Sequence, residues 1–424
     1  MDKNQLKLFN IRNPWRIKKK PLLPNLYINR TAEKEIKEYL DSDDIIIIYG
    51  SRQVGKTTLL YKIIDDLLAT GVVGRDIFYF SADDGQFSEY FLDHGKLLEF
   101  ILTKRKKKAY IFIDEAQRIS SPGIFLKNLY DYKIKDLKIF VTGSSSLEIR
   151  SKIIEYLSGR KKIFILHPLS FKEICEFKKL KRVEDKKRVW LEYLVFGGYP
   201  KVFFAIGVKA KMRELLDIYE SYVKKDIAGY LNIEKPEKFN QLAKLLANQI
   251  GGLVNIDELT NTLGINRVTL EKYIMILEDT FVVKKIYPYF KNPRAEIAKM
   301  PKIYFIDQGL RNIVLKRLEP VEERFDQGQL AENFVFTQIE YVKEADTELN
   351  FWRTKAGVEI DFVVNRSGKL FLYEVKYNKS VSKLPAAIKS FAQKYHYEKA
   401  YIVTGKINVL LNNSLNNSLL FWEI

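Results

Sequence analysis

Gly50-Ser51-Arg52-Gln53-Val54-Gly55-Lys56-Thr57 matches the phosphate-loop pattern GxxxxGK(S/T), and its flanks are those such a loop needs. Before it, Asp44 to Tyr49 is an almost unbroken β-branched run, which predicts a buried parallel strand. After it, Leu59, Leu60, Ile63, Ile64, Leu67 and Leu68 form a helical stripe. A strand, a glycine turn and a helix N-terminus together aim backbone N–H groups at one point, which is how a chain cradles a polyphosphate. The reading assigns Gly50, Ser51, Arg52, Gln53, Val54, Gly55, Lys56, Thr57 and Thr58 to nucleotide binding. Lys56 supplies a cation to the β/γ-phosphate oxygens and the Thr57 hydroxyl is placed to ligate Mg²⁺, so ATP and Mg²⁺ are the expected cofactors.

A second strand-like run, Ala109 to Ile113, ends in Asp114-Glu115. An acidic pair at a strand's C-terminal end is the Walker B arrangement: Asp114 holds the metal through water and Glu115 polarises the attacking water. Asp is also a good N-cap, and a cap for the next helix is the alternative. A third strand, Leu137 to Thr142, runs into Gly143-Ser144-Ser145-Ser146. Ser144 stands where a hydroxyl could contact the γ-phosphate or the lytic water, or could simply cap a helix. Arg160, between an amphipathic stretch and the strand Ile163 to Leu166, is the candidate arginine finger or γ-phosphate sensor.

Composition bounds the rest. A length of 424 residues predicts two to four domains, and 46% hydrophobic residues describe globular material. The single Cys175 excludes a disulfide framework, and three scattered histidines (His94, His167, His396) exclude a His/Cys zinc site. No apolar run is long enough to span a membrane, and Met1 to Lys20 has no signal-peptide core, so a cytoplasmic protein is expected. Abundant Lys, Ile, Glu and Tyr read as a thermophile's composition. That trend enriches Glu as well as Lys, yet 71 Lys+Arg outnumber 53 Asp+Glu, for a net charge of +18. The excess points to nucleic acid as partner, with DNA the leading choice. The run Lys104 to Lys108 is either a contact patch or a solvated turn.

Along the chain, residues 1–30 read as an arm punctuated by Pro14, Pro21 and Pro24. Residues 31–168 alternate strands and helices, which predicts a parallel αβα sandwich. Residues 169–236 read as a helical linker or lid, opened by a capping box of Ser170 with Glu173. Residues 237–300 give three helices, a Gly264 turn and a strand, the pattern of a winged helix-turn-helix. Its candidate DNA-facing residues are Asn266, Arg267, Thr269 and Lys272, with Lys284, Lys285 and Lys291 on or near the wing; packing as an adaptor or lid is the alternative. Residues 301–424 carry a helix with Glu332, a hairpin strand with Asp361 and a strand with Glu374-Val375-Lys376, in α-β-β-β-α-β order. A period of two puts Glu374 and Lys376 on one face, and Asp361 can converge on them from across the hairpin. Carboxylates for a metal and a lysine for the water are what phosphodiester hydrolysis needs, so a restriction-endonuclease-like α/β domain is expected, with Glu332, Asp361 and Glu374 as metal ligands.

The stretches GSRQVGKTTLL, YIFIDEAQ, TGSSSL and LSGR, followed by FGGYP, YVKKDI, AENFVF, GVEIDFVV and LYEVKY, together resemble one family. It is the archaeal and bacterial AAA-type ATPases with a winged helix and a C-terminal domain of unknown function. The resemblance covers nearly the whole chain and implies ATP binding and a PD-(D/E)xK-like terminal domain. The expected protein is thus a Mg²⁺-dependent ATPase acting on DNA. The alternatives are an ATP-dependent switch or scaffold for a protein partner or homo-oligomer, and a DNA-binding regulator gated by ATP.

Overall fold

The computed structural model describes residues 3–21, 23–132, 136–144, 153–220, 235–290, 300–377, 384–405 and 416–424. The chain divides into two compact units, residues 1–167 and 168–424. Ser145, Ser146, Lys291 and the YVKKDI stretch lie outside the described residues.

The first unit is built on the isoleucine run. Helices α1 (Lys3–Arg12) and α2 (Thr31–Glu38) precede strand β1 (Ile45–Tyr49), every residue of which is buried, and helix α3 (Lys56–Ala69). Strand β2 (Ile77–Ser81), helices α4 (Ser88–Leu92) and α5 (His94–Lys104), strand β3 (Ala109–Asp114), helix α6 (Pro122–Asp131), β4 (Leu137–Gly143) and β5 (Lys161–Ile165) follow. The five strands form one parallel sheet in the order β2-β3-β4-β1-β5. Parallel strands buried on both faces need continuous apolar sequence, and that is why these runs do not alternate. Because β4 lies between β1 and β3, the strand ends carrying Gly50, Ser144 and Glu115 are neighbours.

The expected N-terminal arm is a built part of this unit. Phe9 on α1 sits among Phe78, Phe80, Phe87 and Phe100. Beyond it, the Asn13 side chain acts as a short extra strand: its Nδ2 donates to the Tyr79 carbonyl at 3.0 Å and its Oδ1 accepts from the Tyr79 N–H at 2.7 Å. Trp15 Nε1 and Arg16 Nη1 both donate to the Ile77 carbonyl. These side chains satisfy the open hydrogen bonds of edge strand β2, which would otherwise template pairing with another chain. Of the basic run, Lys108 donates to the Leu40 carbonyl and to Asp41 and so closes a turn.

The second unit opens with the capping box Ser170/Glu173 on helix α7 (Phe171–Phe177). Helices α8 (Val183–Phe196), α9 (Pro200–Phe204) and α10 (Val208–Tyr219) follow. Next come α11 (Pro236–Asn248), α12 (Ile256–Leu263) and α13 (Arg267–Asp279), then an antiparallel pair, β6 (Val283–Ile286) with β7 (Lys302–Phe305). Gly264 ends α12 in the left-handed conformation, and Asn255 and Asn266 cap α12 and α13. Helix α14 (Gln308–Leu315) leads to α15 (Gln327–Tyr341) and a mixed sheet. That sheet comprises β8 (Thr347–Arg353), β9 (Glu359–Arg366), β10 (Lys369–Lys376), β11 (Lys399–Thr404) and β12 (Asn416–Leu420), with helix α16 (Ala386–Ala392) before β11. Strands β8, β9 and β10 form an antiparallel meander, and β11 and β12 continue in parallel. Strands β7 and β12 and helix α14 were not expected from sequence. Phe334 on α15 is the aromatic hub, meeting Phe171, Trp190 and Tyr193.

Candidate functional site

The phosphate loop turns from β1 into α3 under tight steric limits. A Cβ at Gly50 would lie 2.1 Å from the Leu166 carbonyl oxygen, and Gly55 has φ 98°, so neither position accepts a side chain without strain. Arg30, missed by sequence reading, fastens the loop from behind: its guanidinium donates to the carbonyls of Val54 (2.9 Å) and His167 (2.6 Å). Lys56 is buried, and its Nζ donates to the carbonyls of Gly50 (3.1 Å) and Ser51 (2.8 Å). Burial pushes its pKa down to about 8 against the pull of Glu115 and Asp114. Two nearby carboxylates and two carbonyls thus hold an ammonium at the loop's centre.

Three strand ends supply the remaining groups. Thr57 Oγ1 on α3 donates to Asp114 Oδ2 at 2.7 Å. The Tyr79 hydroxyl donates to the same oxygen at 2.8 Å, and Thr142 donates to Asp114 Oδ1. Thr142 also accepts from the Glu115 N–H at 3.1 Å, so one hydroxyl ties both acidic residues. Glu115 sits in left-handed backbone (φ 55°, ψ 42°), a conformation that costs about 1–3 kcal/mol outside glycine and persists where surrounding bonds enforce it. Ser144 Oγ lies 2.7 and 2.8 Å from the two Glu115 carboxylate oxygens. Burial pushes the Glu115 carboxyl up, but Lys56 and the bonds from Ser144 and Gln117 outweigh it and hold the group below its ordinary value. The result is a fixed, ionised carboxylate one strand away from the phosphate loop. Thr142 and Tyr79 are further site residues; Thr142 lies near the C-terminal end of β4, two residues before Ser144, which follows that end.

Arg160 is placed elsewhere. It precedes β5, and its carbonyl accepts from Ile45 at the start of β1, whereas the phosphate loop follows the end of β1. Its guanidinium pairs with Asp131 at 3.1 Å. It therefore stands at the opposite edge of the sheet and does not reach its own chain's phosphate loop.

In the second unit the predicted acidic constellation comes together, but around lysines. Asp361 Oδ2 accepts from the Val375 N–H at 2.7 Å, and Lys376 Nζ lies 2.5 Å from Glu374 Oε1. Glu332 Oε1 is taken by the Tyr304 hydroxyl at 2.6 Å and by Lys302 Nζ at 3.3 Å; Lys302 also donates to Glu359. Burial, then Glu332 and Glu374, hold the Asp361 carboxyl well above the usual range. Among the described residues, no group of three or more His, Cys, Asp or Glu side chains is arranged to hold a metal ion. In the expected metal-ligand set, Lys302 and Tyr304 share Glu332 Oε1, the Val375 N–H takes Asp361 Oδ2 and Lys376 takes Glu374 Oε1, while Glu374 Oε2 is buried without a hydrogen-bond partner.

The three-helix segment places the candidate DNA-facing residues at the start of α13. The Asn266 side chain is spent accepting from the Thr269 N–H at 2.8 Å. Arg267 lies between Glu271 (2.8 Å) and Asp257 (3.6 Å), and Lys284 and Lys285 both face Glu278. Lys272 and Val268 are exposed. The face is mixed in charge, not a basic stripe.

Residues 42–175 match the family model described as an AAA domain. This stretch is similar to AAA domains, and its parallel sheet and phosphate loop are those of a P-loop fold. Two further models, each described as a domain of unknown function, match residues 187–320 and 327–418. The chain is 27% identical over 356 residues to an uncharacterized protein of Haemophilus influenzae, covering 81% of this chain and 85% of that one. It is 26% identical over 396 residues to an uncharacterized protein of Methanocaldococcus jannaschii, covering 89% and 84%. Among solved structures, a Walker-type ATPase of Pyrococcus abyssi aligns with a TM-score of 0.47 at 14% identity, over 71% of this chain and 99% of that one. Among the described residues, no helix is long and apolar enough to cross a membrane.

Proposed function

We propose that the AAA domain binds ATP with Mg²⁺ and hydrolyses it, and that nucleic acid is the partner whose presence sets the rate. The observation that carries the first part is the bonded chain Thr57–Asp114–Thr142–Glu115–Ser144, which links the phosphate loop to two other strand ends. Its oxygens are hard donors, the kind Mg²⁺ takes, so Thr57 and Asp114 would hold the ion. Bound there, the metal would neutralise charge on the β- and γ-phosphates. Lys56 binds and orients the same phosphates. Glu115, fixed by Ser144 and kept ionised, accepts a hydrogen bond from the attacking water and then its proton. Gln53 and Arg52, on the loop beside Lys56, bound the phosphate cradle.

Replacing Lys56 with Ala is expected to abolish tight ATP binding, because the β- and γ-phosphates lose the buried loop cation that binds and orients them. Equilibrium titration with a fluorescent ATP analogue checks it, and wild-type affinity in the variant would overturn the assignment.

The partner reading is supported by the net charge of +18 and by the three helices with a two-stranded sheet, consistent with a winged helix. Duplex and single-stranded DNA are expected to raise the ATPase rate, with affinity falling steeply from low to physiological salt. Replacing Arg267 and Lys272 together is expected to flatten the salt slope by about one unit per lost phosphate contact. An unchanged slope moves the contact off α13; no stimulation by any DNA form favours the switch or scaffold for a protein partner. Metal-dependent DNA cleavage by residues 301–424, a restriction-endonuclease-like reading, would rest on Glu332, Asp361 and Glu374, with Lys376 paired to Glu374.

A further inference from the structure

We propose that the turn joining α7 to α8, together with the end of α9, is a binding surface for single-stranded DNA, a proposal that rests on the reading of nucleic acid as the partner. Residues 171–188 contain eight Lys and Arg against four Asp and Glu. Residues 256–286, which hold α12, α13 and β6, contain four against five. The three-helix segment therefore does not carry the chain's positive excess, whereas the α7–α8 stretch carries part of it. Lys178, Lys179, Lys181 and Lys187 are exposed, and none pairs with a carboxylate among the described residues. The two arginines of the stretch differ: Arg182 lies 3.8 Å from Glu184, and Arg188 3.3 Å from Asp185. Helix dipoles account for only some of the lysines. Lys178 is the C-cap of α7, where a cation is favoured. Lys181 directly precedes the N-cap of α8, where the dipole disfavours one. A lysine kept there is explained by an anion brought from outside.

The aromatic side chains decide the form of the nucleic acid. Phe177, at the end of α7, meets Phe203 and Phe204 of α9 with ring centroids 6.1 and 5.8 Å away. Lys178 Nζ lies 5.2 Å from the Phe203 centroid, so the basic turn and the rings form one patch. All three rings are half-buried rather than enclosed, and the chain runs on from them into Ile206, which is 95% exposed. Lysines alone bind the phosphates of any duplex. Partly open rings beside them add faces on which bases stack, and only bases freed from a duplex present their own faces. Residues 171–188 hold no Ser, Thr, Asn or Gln to take a ribose 2′-hydroxyl, which favours DNA over RNA.

The test is fluorescence anisotropy of labelled oligo(dT), oligo(rU) and a DNA duplex of equal length, titrated with the full chain at several salt concentrations and without ATP. The wild type is expected to bind oligo(dT) more tightly than either of the others. Replacing Lys178, Lys179 and Lys181 together with Ala is expected to weaken oligo(dT) binding about tenfold or more at low salt and to lower the salt slope by about two units, since each phosphate contact on a single strand contributes about 0.7. Phe203→Leu is expected to weaken it about fivefold or more with the slope unchanged, because a stacking ring and not a charge is removed. Should Phe203→Leu fail to fold, the exposed lysines and the comparison of probes decide alone. Unchanged oligo(dT) affinity and slope in the lysine variant overturn the surface, and stimulation of ATP hydrolysis by DNA would then leave the partner reading standing. A wild type that prefers the duplex or oligo(rU), or a folded Phe203→Leu variant with unchanged affinity, overturns the assignment to single-stranded DNA. Binding to none of the probes overturns this proposal and the partner reading together.

Discussion

Glu115→Gln is expected to bind ATP as the wild type does and to hydrolyse it roughly 10²- to 10⁴-fold more slowly, the range that a positioned general base contributes. In barrier terms that is about 3–5 kcal/mol. The substitution keeps the shape of the side chain and leaves Lys56, Thr57 and Asp114 in place, so binding and chemistry separate cleanly. What it removes is the charge. Ser144 lies within hydrogen-bond distance of both carboxylate oxygens, and Gln117 donates to one of them. An amide can accept at only one end, and it has no basicity to draw a proton from water. The strained backbone at Glu115 argues the same way: the chain holds a left-handed glutamate there through the Thr142 hydroxyl, where glycine would fit without strain. Single-turnover hydrolysis alongside a nucleotide titration checks the prediction. A variant hydrolysing at the parent rate would show that another group activates the water.

Asp326→Ala is expected to destabilise the second unit by about 3–5 kcal/mol, the cost of leaving a buried charge without its partner. Asp326 bonds both Arg311 and Arg324, and all three side chains are buried. Arg311 also donates to the Ala247 carbonyl at the end of α11, while Asn312 donates to the Leu194 and Val195 carbonyls of α8. The network therefore joins α8, α11 and α14. Burial pushes the Asp326 carboxyl up, but the two guanidiniums more than reverse this and hold it at about 2. Its folded value is depressed below the ordinary ~3.9 of an unfolded chain, so its contribution is present above that value. It is lost as the pH falls toward and through about 2. The stability difference between wild type and variant should accordingly shrink from about pH 4 downward. Urea unfolding of the full chain at several pH values measures it; a difference under about 1 kcal/mol at neutral pH, or one that is independent of acid, contradicts the assignment.

The amino-acid sequence by itself determined what depends on neighbours along the chain. The isoleucine run of β1, the glycines and lysine of the loop, the helical stripe of α3 and the Asp114-Glu115 pair are each local patterns. A phosphate cradle is made from consecutive residues, so it is legible before folding. The same holds for the capping box at Ser170 and the boundaries of α12. The tertiary structure decided everything that depends on residues distant in sequence. Arg30 ties the loop's Val54 carbonyl to the carbonyl of His167, 137 positions away, and Tyr79 reaches Asp114 only because β2 and β3 are adjacent. The arm became an edge cover because β2 is an edge strand with open hydrogen bonds, and only the strand order shows that. Arg160 changed sides for a similar reason, since sequence order places a residue before a strand but not which sheet end that strand start occupies. At the C-terminus the four motif residues were legible and their chemistry was not. Burial, Glu332 and Glu374 push the Asp361 carboxyl up, Lys376 pairs with Glu374, and Lys302, from a strand that sequence periodicity did not reveal, pairs with Glu332; each of these depends on which elements pack together.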